Sequence, residues 1–224
     1  MTNDVGEKVR QVRAVRAELH AAGPKRSRPF AGDFDRVALP KADCDALRDI
    51  VVAENARVVI EVGLAYGSSA LAIGEALCST GIADFMHVII DPFQATAYEN
   101  VGFDALDAAG LSDHTRLITD MSSIALSRLM AEGFTADAAF VDGSHRFHEV
   151  FVDLYFLRKI VRPRGLVILD DASFPSVATA LRYFDLNLGW IPVEIAGRLS
   201  ARRLPAELFE PAFTDFKPFS NIGA

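Results

Sequence analysis

The sequence is poor in the features that mark several large classes of protein. It has only two cysteines, Cys44 and Cys78, which form no CxxC pair and are too few for a disulfide framework. No stretch approaches the roughly 18 apolar residues of a membrane span, and the N-terminus is charged, unlike a signal peptide. The formal net charge of −7 gives no electrostatic reason to bind nucleic acid or an anionic membrane. These absences predict a cytoplasmic protein with neither kind of partner.

The rest of the composition is typical of one globular domain, with 50% hydrophobic and 24% charged residues in a chain of 224. Helical spacing of apolar residues predicts a helix over residues 4–22 that ends at Gly23-Pro24, and a second helix from Pro40 to about Ala56. We therefore expect a helical cap over residues 1–56 and a catalytic region over 57–224. Residues 23–39 between the helices form either a lid or a solvated linker, with four possible substrate contacts: Lys25, Arg26, Arg28 and Phe30.

From residue 57 onward, short apolar runs alternate with helical patterns. This alternation predicts an α/β fold, a doubly wound, mostly parallel sheet with helices on both faces. The expected strands cover residues 57–62, 86–90, 116–118, 138–141, 165–169 and 190–195. The expected helices lie around residues 68–80, 99–109, 122–132, 146–160 and 174–186. Both cysteines fall in helical stretches, where we expect buried, unreactive thiols. Ligands of such sheets lie beyond the carboxyl ends of the strands, so the residues after each strand are the candidates for function.

A turn rich in small residues follows the first strand, from Glu61 to Ser69. Small residues at 63, 65 and 67 allow a sharp turn and a close approach of the backbone to a ligand. A helix starting at Ser68 or Ser69 offers free N–H groups to an anion. The pattern is not the dinucleotide motif GxGxxG, because position 65 is alanine and position 68 is serine. A tight turn without a ligand remains possible, but a carboxylate at Glu61 in a buried strand needs a polar partner.

Acidic residues follow three of the other strands. Asp91 ends the second strand, where it is suited either to two ribose hydroxyls or to capping a helix. Asp142 follows the fourth strand and Asp170-Asp171 the fifth, and their separation of 28 residues predicts neighbouring parallel strands. Three converging carboxylates repel one another unless a cation is bound, and oxygen ligands favour Mg²⁺, Mn²⁺ or Ca²⁺ over zinc. Helix capping explains one of the three carboxylates but not all of them.

His145 lies three residues after Asp142, at the same edge of the predicted sheet. A neutral imidazole there is suited to accept a proton from a substrate hydroxyl near pH 7. A structural histidine is the competing interpretation. His148 and Glu149 fall on the following helix, where a solvated face is expected, and we assign them no role.

These motifs together resemble class I S-adenosylmethionine-dependent methyltransferases. The similarity is greater to metal-dependent O-methyltransferases, including catechol O-methyltransferase and bacterial enzymes acting on natural products and sugars, and it covers roughly residues 57–195. The resemblance implies that the cofactor S-adenosylmethionine contacts Glu61, Gly63, Ala65, Tyr66, Gly67, Ser68, Ser69, Asp91, Asp120, Ser122 and Asp142. It implies a divalent cation, Mg²⁺ above all, on Asp142, Asp170 and Asp171, with His145 or Asp142 as the catalytic base. In catechol O-methyltransferase an Asp-Asn pair stands in place of Asp170-Asp171.

The expected function is therefore cation-assisted O-methylation of a small molecule, with the acceptor hydroxyl undetermined. Three alternatives remain open: a methyltransferase without a metal, a non-catalytic cofactor-binding protein, and a nicotinamide-dependent oxidoreductase, which would leave the three aspartates unexplained. Near the C-terminus, Trp190 and the four phenylalanines Phe209, Phe213, Phe216 and Phe219 suggest packing onto the sheet or onto a second subunit, or a substrate wall. A homo-oligomer is accordingly possible.

Overall fold

A computed structural model describes residues 2–25 and 33–218 of the chain. Its centre is a seven-stranded sheet in the order β3-β2-β1-β4-β5-β7-β6. Strands β1 to β5 are parallel, whereas β7 runs antiparallel to both β5 and β6. The strands are β1 (Val58–Val62), β2 (Met86–Ile90), β3 (Thr115–Ile118), β4 (Ala136–Val141), β5 (Val161–Leu169), β6 (Ile191–Val193) and β7 (Ser200–Arg203). The strand order reverses between β1 and β4, which is where ligands of such sheets bind.

Helices cover both faces of the sheet, each with its own apolar core. They are α1 (Thr2–Ala22), α2 (Phe34–Val37), α3 (Lys41–Ala53), α4 (Ser68–Ser79), α5 (Val101–Ala108), α6 (Ser122–Ala131), α7 (Phe147–Ile160) and α8 (Pro175–Leu188). One core joins α1, α3, α4 and α5 to side chains such as Val59 and Phe140. The other joins α6, α7 and α8 to side chains such as Ile60 and Val167. Alternate residues of a strand point to opposite faces, so each buried strand contributes to both cores.

The fold confirms the doubly wound α/β architecture predicted from the sequence, including the parallel pairing of β4 with β5. Cys44 and Cys78 are buried in helices, as expected. Three features were not predicted. Helix α2 lies within residues 23–39, where the sequence predicted a lid or a linker. Strand β7 is absent from the prediction, since its sequence SARR is polar. Strand β5 begins at Val161, before a bulge at which Arg164 adopts a left-handed backbone with φ +61°.

The N-terminal helices are attached to the sheet domain through α4. The Glu75 side chain of α4 is fully buried. It accepts a hydrogen bond from Arg13 Nε on α1 at 2.6 Å and forms an ion pair with Arg16 Nε at 3.3 Å. A buried carboxylate needs such partners. Helix α1 therefore packs along α4 as part of the domain. Among residues 2–25 and 33–218, no helix has the length and apolarity needed to cross a membrane.

Candidate functional site

A cavity of about 1210 Å³ opens at the carboxyl ends of β1, β2 and β4. Its wall combines the turn after β1, the start of α6, the segment after β4 and the residues after β5. Ligand cavities of drug-sized molecules run from roughly 300 to 1,000 Å³. The volume is therefore sufficient for a nucleoside cofactor together with a second small molecule.

The turn after β1 is built around Gly63. Its backbone has φ +95°, and a Cβ at this position would lie 2.3 Å from the carbonyl oxygen of Asp142. Both the left-handed conformation and this close approach exclude a side chain. The turn thus brings the end of β1 against the end of β4, and it places the backbone of Gly63, Leu64 and Ala65 in the cavity wall.

Helix α4 begins at the cavity, immediately after Gly67, whose φ of +88° ends the turn. Ser68, Ser69 and Tyr66 line the cavity. The free N–H groups of the first helical turn favour an anion at this position. The Tyr66 hydroxyl donates a hydrogen bond to Asp33, next to α2, and its ring packs edge-on against Phe34 and Tyr98.

Glu61 lies apart from the cavity. Its side chain is fully buried on the face covered by α4, where it accepts a hydrogen bond from the Ser69 hydroxyl. Its second oxygen lies 2.9 Å from Nε2 of His87 on the neighbouring strand. Among the described residues Glu61 is not part of the cavity lining. Ser69 thus supplies the hydrogen bond that the buried carboxylate requires, His87 lies within ion-pair distance of its second oxygen, and the carboxylate positions Ser69.

The carboxylate of Asp91, at the end of β2, is held in place by hydrogen bonds to both of its oxygens. Oδ2 accepts hydrogen bonds from the backbone N–H groups of Leu64 and Ala65, at 3.0 and 2.9 Å, and from Gln94 Nε2 at 2.9 Å. Oδ1 accepts one from the N–H of Phe93 at 2.7 Å. Each carboxylate oxygen has two lone pairs, and Oδ1 accepts a single hydrogen bond, so Oδ1 has one more acceptor position for a hydroxyl in the cavity.

Acidic side chains meet a histidine on the opposite wall. Nε2 of His145 lies 2.9 Å from Asp171 Oδ2 and 3.9 Å from Asp142 Oδ1. One ligand atom from each of Asp142, His145 and Asp171 falls within 4.8 Å of the others, which is close enough to hold one metal ion. Asp171 adopts a left-handed backbone with φ +51°, a conformation that aspartate and asparagine tolerate better than most residues.

The local electrostatics shift both protonation equilibria at this wall. Burial raises the pKa of Asp142 to about 6, and the nearby charges of Asp170 and Asp171 add to the shift, whereas His145 opposes it. Interaction with Asp142 raises the pKa of His145 above its ordinary value, partial burial opposes this, and Asp171 adds to it. Like charges in close proximity favour protonated forms unless a cation balances them. Protons and a cation would therefore compete for this cluster, because loss of a proton from these ligands favours cation binding.

Asp170 points away from this cluster toward Arg198, in the loop between β6 and β7. The guanidinium donates a hydrogen bond to Asp170 Oδ2, while the backbone N–H of Arg198 donates to Asp43 on α3 at 3.0 Å. The buried Oδ1 of Asp170 has no hydrogen-bond partner among the described residues. Burial raises the pKa of Asp170, and Arg198 counteracts the shift. Of the three aspartates expected to bind a metal, Asp142 and Asp171 therefore share the cluster with His145, and Asp170 is paired with an arginine.

At the β3 end of the cavity, Ser122 begins α6 and lines the wall, but the adjacent Asp120 does not. The Asp120 carboxylate is partly exposed and pairs with Arg128 at 2.9 Å. A different carboxylate, that of Asp153 on α7, lies in the wall beside Ser122 and is 2% exposed. Burial raises its pKa to about 7, while a hydrogen bond with Ser122 opposes the shift.

The segments suggested as a lid or a substrate wall contribute unequally. Residues 36–39 line the cavity, but Lys25 forms an ion pair with Glu18 on the surface. Arg26, Arg28, Phe30 and Phe219 lie outside the described residues. Trp190 packs in the core against Phe184, with ring centroids 4.8 Å apart. Phe209, Phe213 and Phe216 are exposed and are not among the described residues that line the cavity, so this structure does not make them a substrate wall.

Sequence reasoning missed several polar residues of the wall, among them Arg198 and Asp153. Arg198 lies in a loop beside a strand that was not predicted, and no local motif distinguishes it. Asp153 had a signal, because it falls on the buried stripe of α7 formed by Val150, Leu154 and Leu157. A carboxylate at an apolar position of an amphipathic helix indicates a buried polar site.

A family model described as a methyltransferase domain matches residues 60–172, about half of the chain. The match spans the turn after β1, the end of β2, and the acidic residues after β4 and β5. A search of curated proteins returned no significant match.

Solved structures share the fold across most of the chain. The cofactor-bound Rv0187 from MTB is 18% identical, with a TM-score of 0.65, covering 88% of this chain and 90% of that chain. The O-methyltransferase from Bacillus cereus in complex with SAH is 16% identical, with a TM-score of 0.60 and coverage of 88% and 90%. The O-methyltransferase TomG from Streptomyces achromogenes, in complex with SAM, is 18% identical, with a TM-score of 0.60 and coverage of 87% and 98%.

Proposed function

The chain belongs to this methyltransferase-domain family, and we propose that it transfers the methyl group of S-adenosylmethionine to a hydroxyl oxygen of a small molecule. The family membership confirms the methyltransferase predicted from the sequence. The observation that carries the proposal is that one cavity contains the turn after β1, the carboxylate of Asp91 and the cluster of Asp142, His145 and Asp171. A site for a nucleoside and a site for proton transfer therefore adjoin.

The proposed donor site runs along the turn. The backbone from Gly63 to Gly67 passes beneath the amino-acid part of the donor, and the N-terminus of α4 with Ser68 and Ser69 binds its carboxylate. Asp91 accepts a hydrogen bond from the ribose through Oδ1. This assignment keeps the cofactor residues expected from the sequence, with two exceptions. Glu61 contributes indirectly, by accepting the hydrogen bond that positions Ser69, and Asp120 is not among the described residues of the cavity wall.

The residues after β4 and β5 fit a divalent cation. Asp142 and Asp171 supply oxygen ligands, and His145 lies beside both of them. Burial raises the pKa of Asp142 to about 6, and the nearby carboxylates of Asp170 and Asp171 add to the shift, so a cation there would balance their charge. Oxygen-rich sites of this kind suit Mg²⁺ or Mn²⁺. A bound cation would lower the pKa of an acceptor hydroxyl.

The proposed reaction is a direct displacement. The acceptor oxygen attacks the sulfonium methyl carbon, the new C–O bond forms as the C–S bond breaks, and S-adenosylhomocysteine leaves. His145 or Asp142 accepts the hydroxyl proton. Alignment of oxygen, carbon and sulfur within the cavity supplies much of the rate enhancement, because it removes the entropy cost of bringing two reactants together.

Ligand binding tests the donor assignment. The two ligands to compare by isothermal titration calorimetry are S-adenosylhomocysteine and NAD, each with and without Mg²⁺. We expect S-adenosylhomocysteine to bind and NAD not to bind. The reverse preference would favour the oxidoreductase alternative and overturn the proposal.

Metal dependence is tested separately, by titrating Mn²⁺ into wild type and into a variant carrying Asp142→Asn and Asp171→Asn. Asparagine preserves size and tolerates the left-handed backbone of residue 171. We expect Mn²⁺ binding and methyl transfer to be lost in this variant and retained in Glu207→Gln, an exposed carboxylate far from the cluster in sequence. Full turnover in excess EDTA would instead support a methyltransferase without a metal.

A further inference from the structure

One part of the cavity wall has no role in the donor site proposed above. It consists of residues 36–39 before α3, Phe174 just before α8, and Arg198 in the loop between β6 and β7. Phe174 packs edge-on against His145, with ring centroids 5.2 Å apart, and Arg198 donates a hydrogen bond to Asp170. This part of the wall therefore adjoins the groups proposed for proton transfer, which is where the acceptor has to lie.

Arg198 is held in a fixed position at this wall. The preceding Gly197 has φ +78°, and a Cβ there would lie 1.9 Å from Oδ1 of Asp43 at the start of α3. The same oxygen accepts a hydrogen bond from the backbone N–H of Arg198 at 3.0 Å. Nε of Arg198 lies 3.6 Å from Asp43 Oδ2, while Nη2 donates to Asp170. The loop is thus fastened to α3 and the orientation of the guanidinium is set.

The guanidinium of Arg198 has hydrogen-bonding capacity left over. Its side-chain hydrogen bond to a described residue comes from Nη2, and Nη1 donates none within the described part of the chain. The side chain lines the cavity and is 46% exposed. Because a guanidinium carries several N–H donors in one plane, the Nη1 edge can bind a planar carboxylate from the cavity.

The charge that this surface presents to a ligand is positive. The two carboxylates that hold Arg198 have side chains only 9% (Asp43) and 1% (Asp170) exposed. A second arginine, Arg36 on α2, also lines the cavity; its side chain is 80% exposed and lies 3.7 Å from Asp33. Residues 36–39 lead directly into α3, which carries Asp43, so the two arginines approach the cavity from the same side.

We propose that the methyl acceptor is a hydroxy acid, whose carboxylate accepts hydrogen bonds from Arg198 while its hydroxyl faces His145. This inference rests on the proposed function, since it assumes methyl transfer in this cavity. A guanidinium–carboxylate pair fixes direction as well as distance, so Arg198 would orient the acceptor toward the methyl group. Arg198 is accordingly a residue that determines specificity for the acceptor.

The test compares two pairs of acceptors, one phenolic and one a sugar, because either kind of hydroxyl suits the proposed reaction. Each pair sets a carboxylate against the neutral carboxamide: protocatechuate with its amide, and glucuronate with glucuronamide. The full chain is assayed for formation of S-adenosylhomocysteine. In the pair that wild type methylates, we expect kcat/KM to be at least about tenfold higher for the acid, because the amide loses a charge-assisted hydrogen bond.

The variants assign this preference to one side chain. In Arg198→Gln the ratio of acid to amide should fall to within about threefold, and Arg198→Lys, which keeps the charge, should retain part of the preference. Arg116→Gln is the matched control. Arg116 is 43% exposed and also paired with one carboxylate, that of Glu132 at 3.4 Å, but it is not among the described residues that line the cavity. Its ratio should equal that of wild type.

Equal kcat/KM of wild type for acid and amide would overturn the inference without any variant, so it stays testable if Arg198→Gln does not fold. A full preference for the acid in Arg198→Gln would show that another group recognises the carboxylate, and would count against the inference as well. The same holds if wild type binds S-adenosylhomocysteine in calorimetry but methylates neither acid. Absence of S-adenosylhomocysteine binding would instead contradict the proposed function, which distinguishes the two failures.

Discussion

The two walls of the cavity differ in how far their polar groups are satisfied by the protein itself. On the turn side, the carboxylate of Asp91 accepts four hydrogen bonds, three of them from backbone N–H groups and one from Gln94. On the acidic side, Asp142, Asp171 and His145 face one another with few other partners, and the pKa of Asp142 is raised to about 6. The carboxylate of the first wall is held by the protein alone, with one acceptor position of Oδ1 left for a ligand, whereas the groups of the second wall interact mainly with one another.

This difference separates binding from chemistry. A carboxylate fixed by backbone donors keeps its geometry, which suits recognition of a fixed group. Carboxylates that repel one another change their protonation when a cation or a substrate proton arrives, which suits proton transfer. The comparison predicts that substitutions on the turn side affect folding and donor binding, and that substitutions on the acidic side affect turnover and its pH dependence.

The largest effect on stability is expected on the turn side, from Gly63→Ala. The added Cβ would lie 2.3 Å from the carbonyl oxygen of Asp142, at a φ of +95°. Gly81→Ala is the control, because Gly81 has a similar φ of +73° but nothing within 4 Å of the Cβ position. We expect Gly63→Ala to lose about 2–3 kcal/mol more unfolding free energy than the control, measured by urea denaturation. Similar losses for both variants would contradict the close approach of β1 to β4.

On the acidic side, His145→Gln should lower kcat by about 10²–10⁴-fold, as expected for loss of a general base. Asp142 takes up a proton as the pH falls through its raised pKa of about 6, and the pKa of His145 is also raised above its ordinary value. Wild-type kcat should therefore be highest at alkaline pH and should fall as the pH approaches 6. His148 is an exposed histidine that also lines the cavity, and His148→Gln is the control. This variant should keep the wild-type kcat and the same fall of kcat at acid pH. A flat pH–rate profile would argue against a base at this wall.

A smaller effect is expected from Arg198→Gln, which removes the cation paired with Asp170. The Asp170 side chain is 1% exposed and would be left without its partner. We expect a loss of roughly 1–3 kcal/mol in unfolding free energy, less than for a fully buried pair because the guanidinium is partly exposed. In a protein that already carries Asp170→Asn, Arg198→Gln should cost almost no further unfolding free energy. A double-mutant cycle of these two substitutions measures this coupling. Additive losses would show that the two side chains act independently.

The smallest effect concerns stability at Asp153. Its folded-state pKa of about 7 lies above the ordinary value, so the folded protein holds a proton that the unfolded chain has released between about pH 4 and 7. Stability conferred by the protonated form is present below pH 4 and is lost as the pH rises through 7. Asp153→Asn should therefore melt a few °C above wild type at pH 8, with the difference vanishing near pH 4. A lower melting temperature at pH 8 would contradict the burial of an unbalanced carboxylate.

Much of the architecture could be predicted because the signals are local. Apolar runs of β-strand length alternate with amphipathic helices, and parallel strands bring their carboxyl ends to one edge, so Asp91, Asp142 and Asp171 could be expected at one cavity. Strand β7 escaped prediction because SARR is not apolar, and its place in the sheet depends on antiparallel pairing with β5 and β6.

The sequence by itself determined the doubly wound sheet and the types of residue at its active edge, since hydrophobic periodicity and turn chemistry act over neighbouring positions. Only the tertiary structure decided the partners of the buried charges: Glu61 with His87, and Arg198 with Asp170 and with the distant Asp43. Those pairs join residues 26, 28 and 155 positions apart. Coulombic and hydrogen-bonding partners depend on distance in space, which no periodicity along the chain encodes.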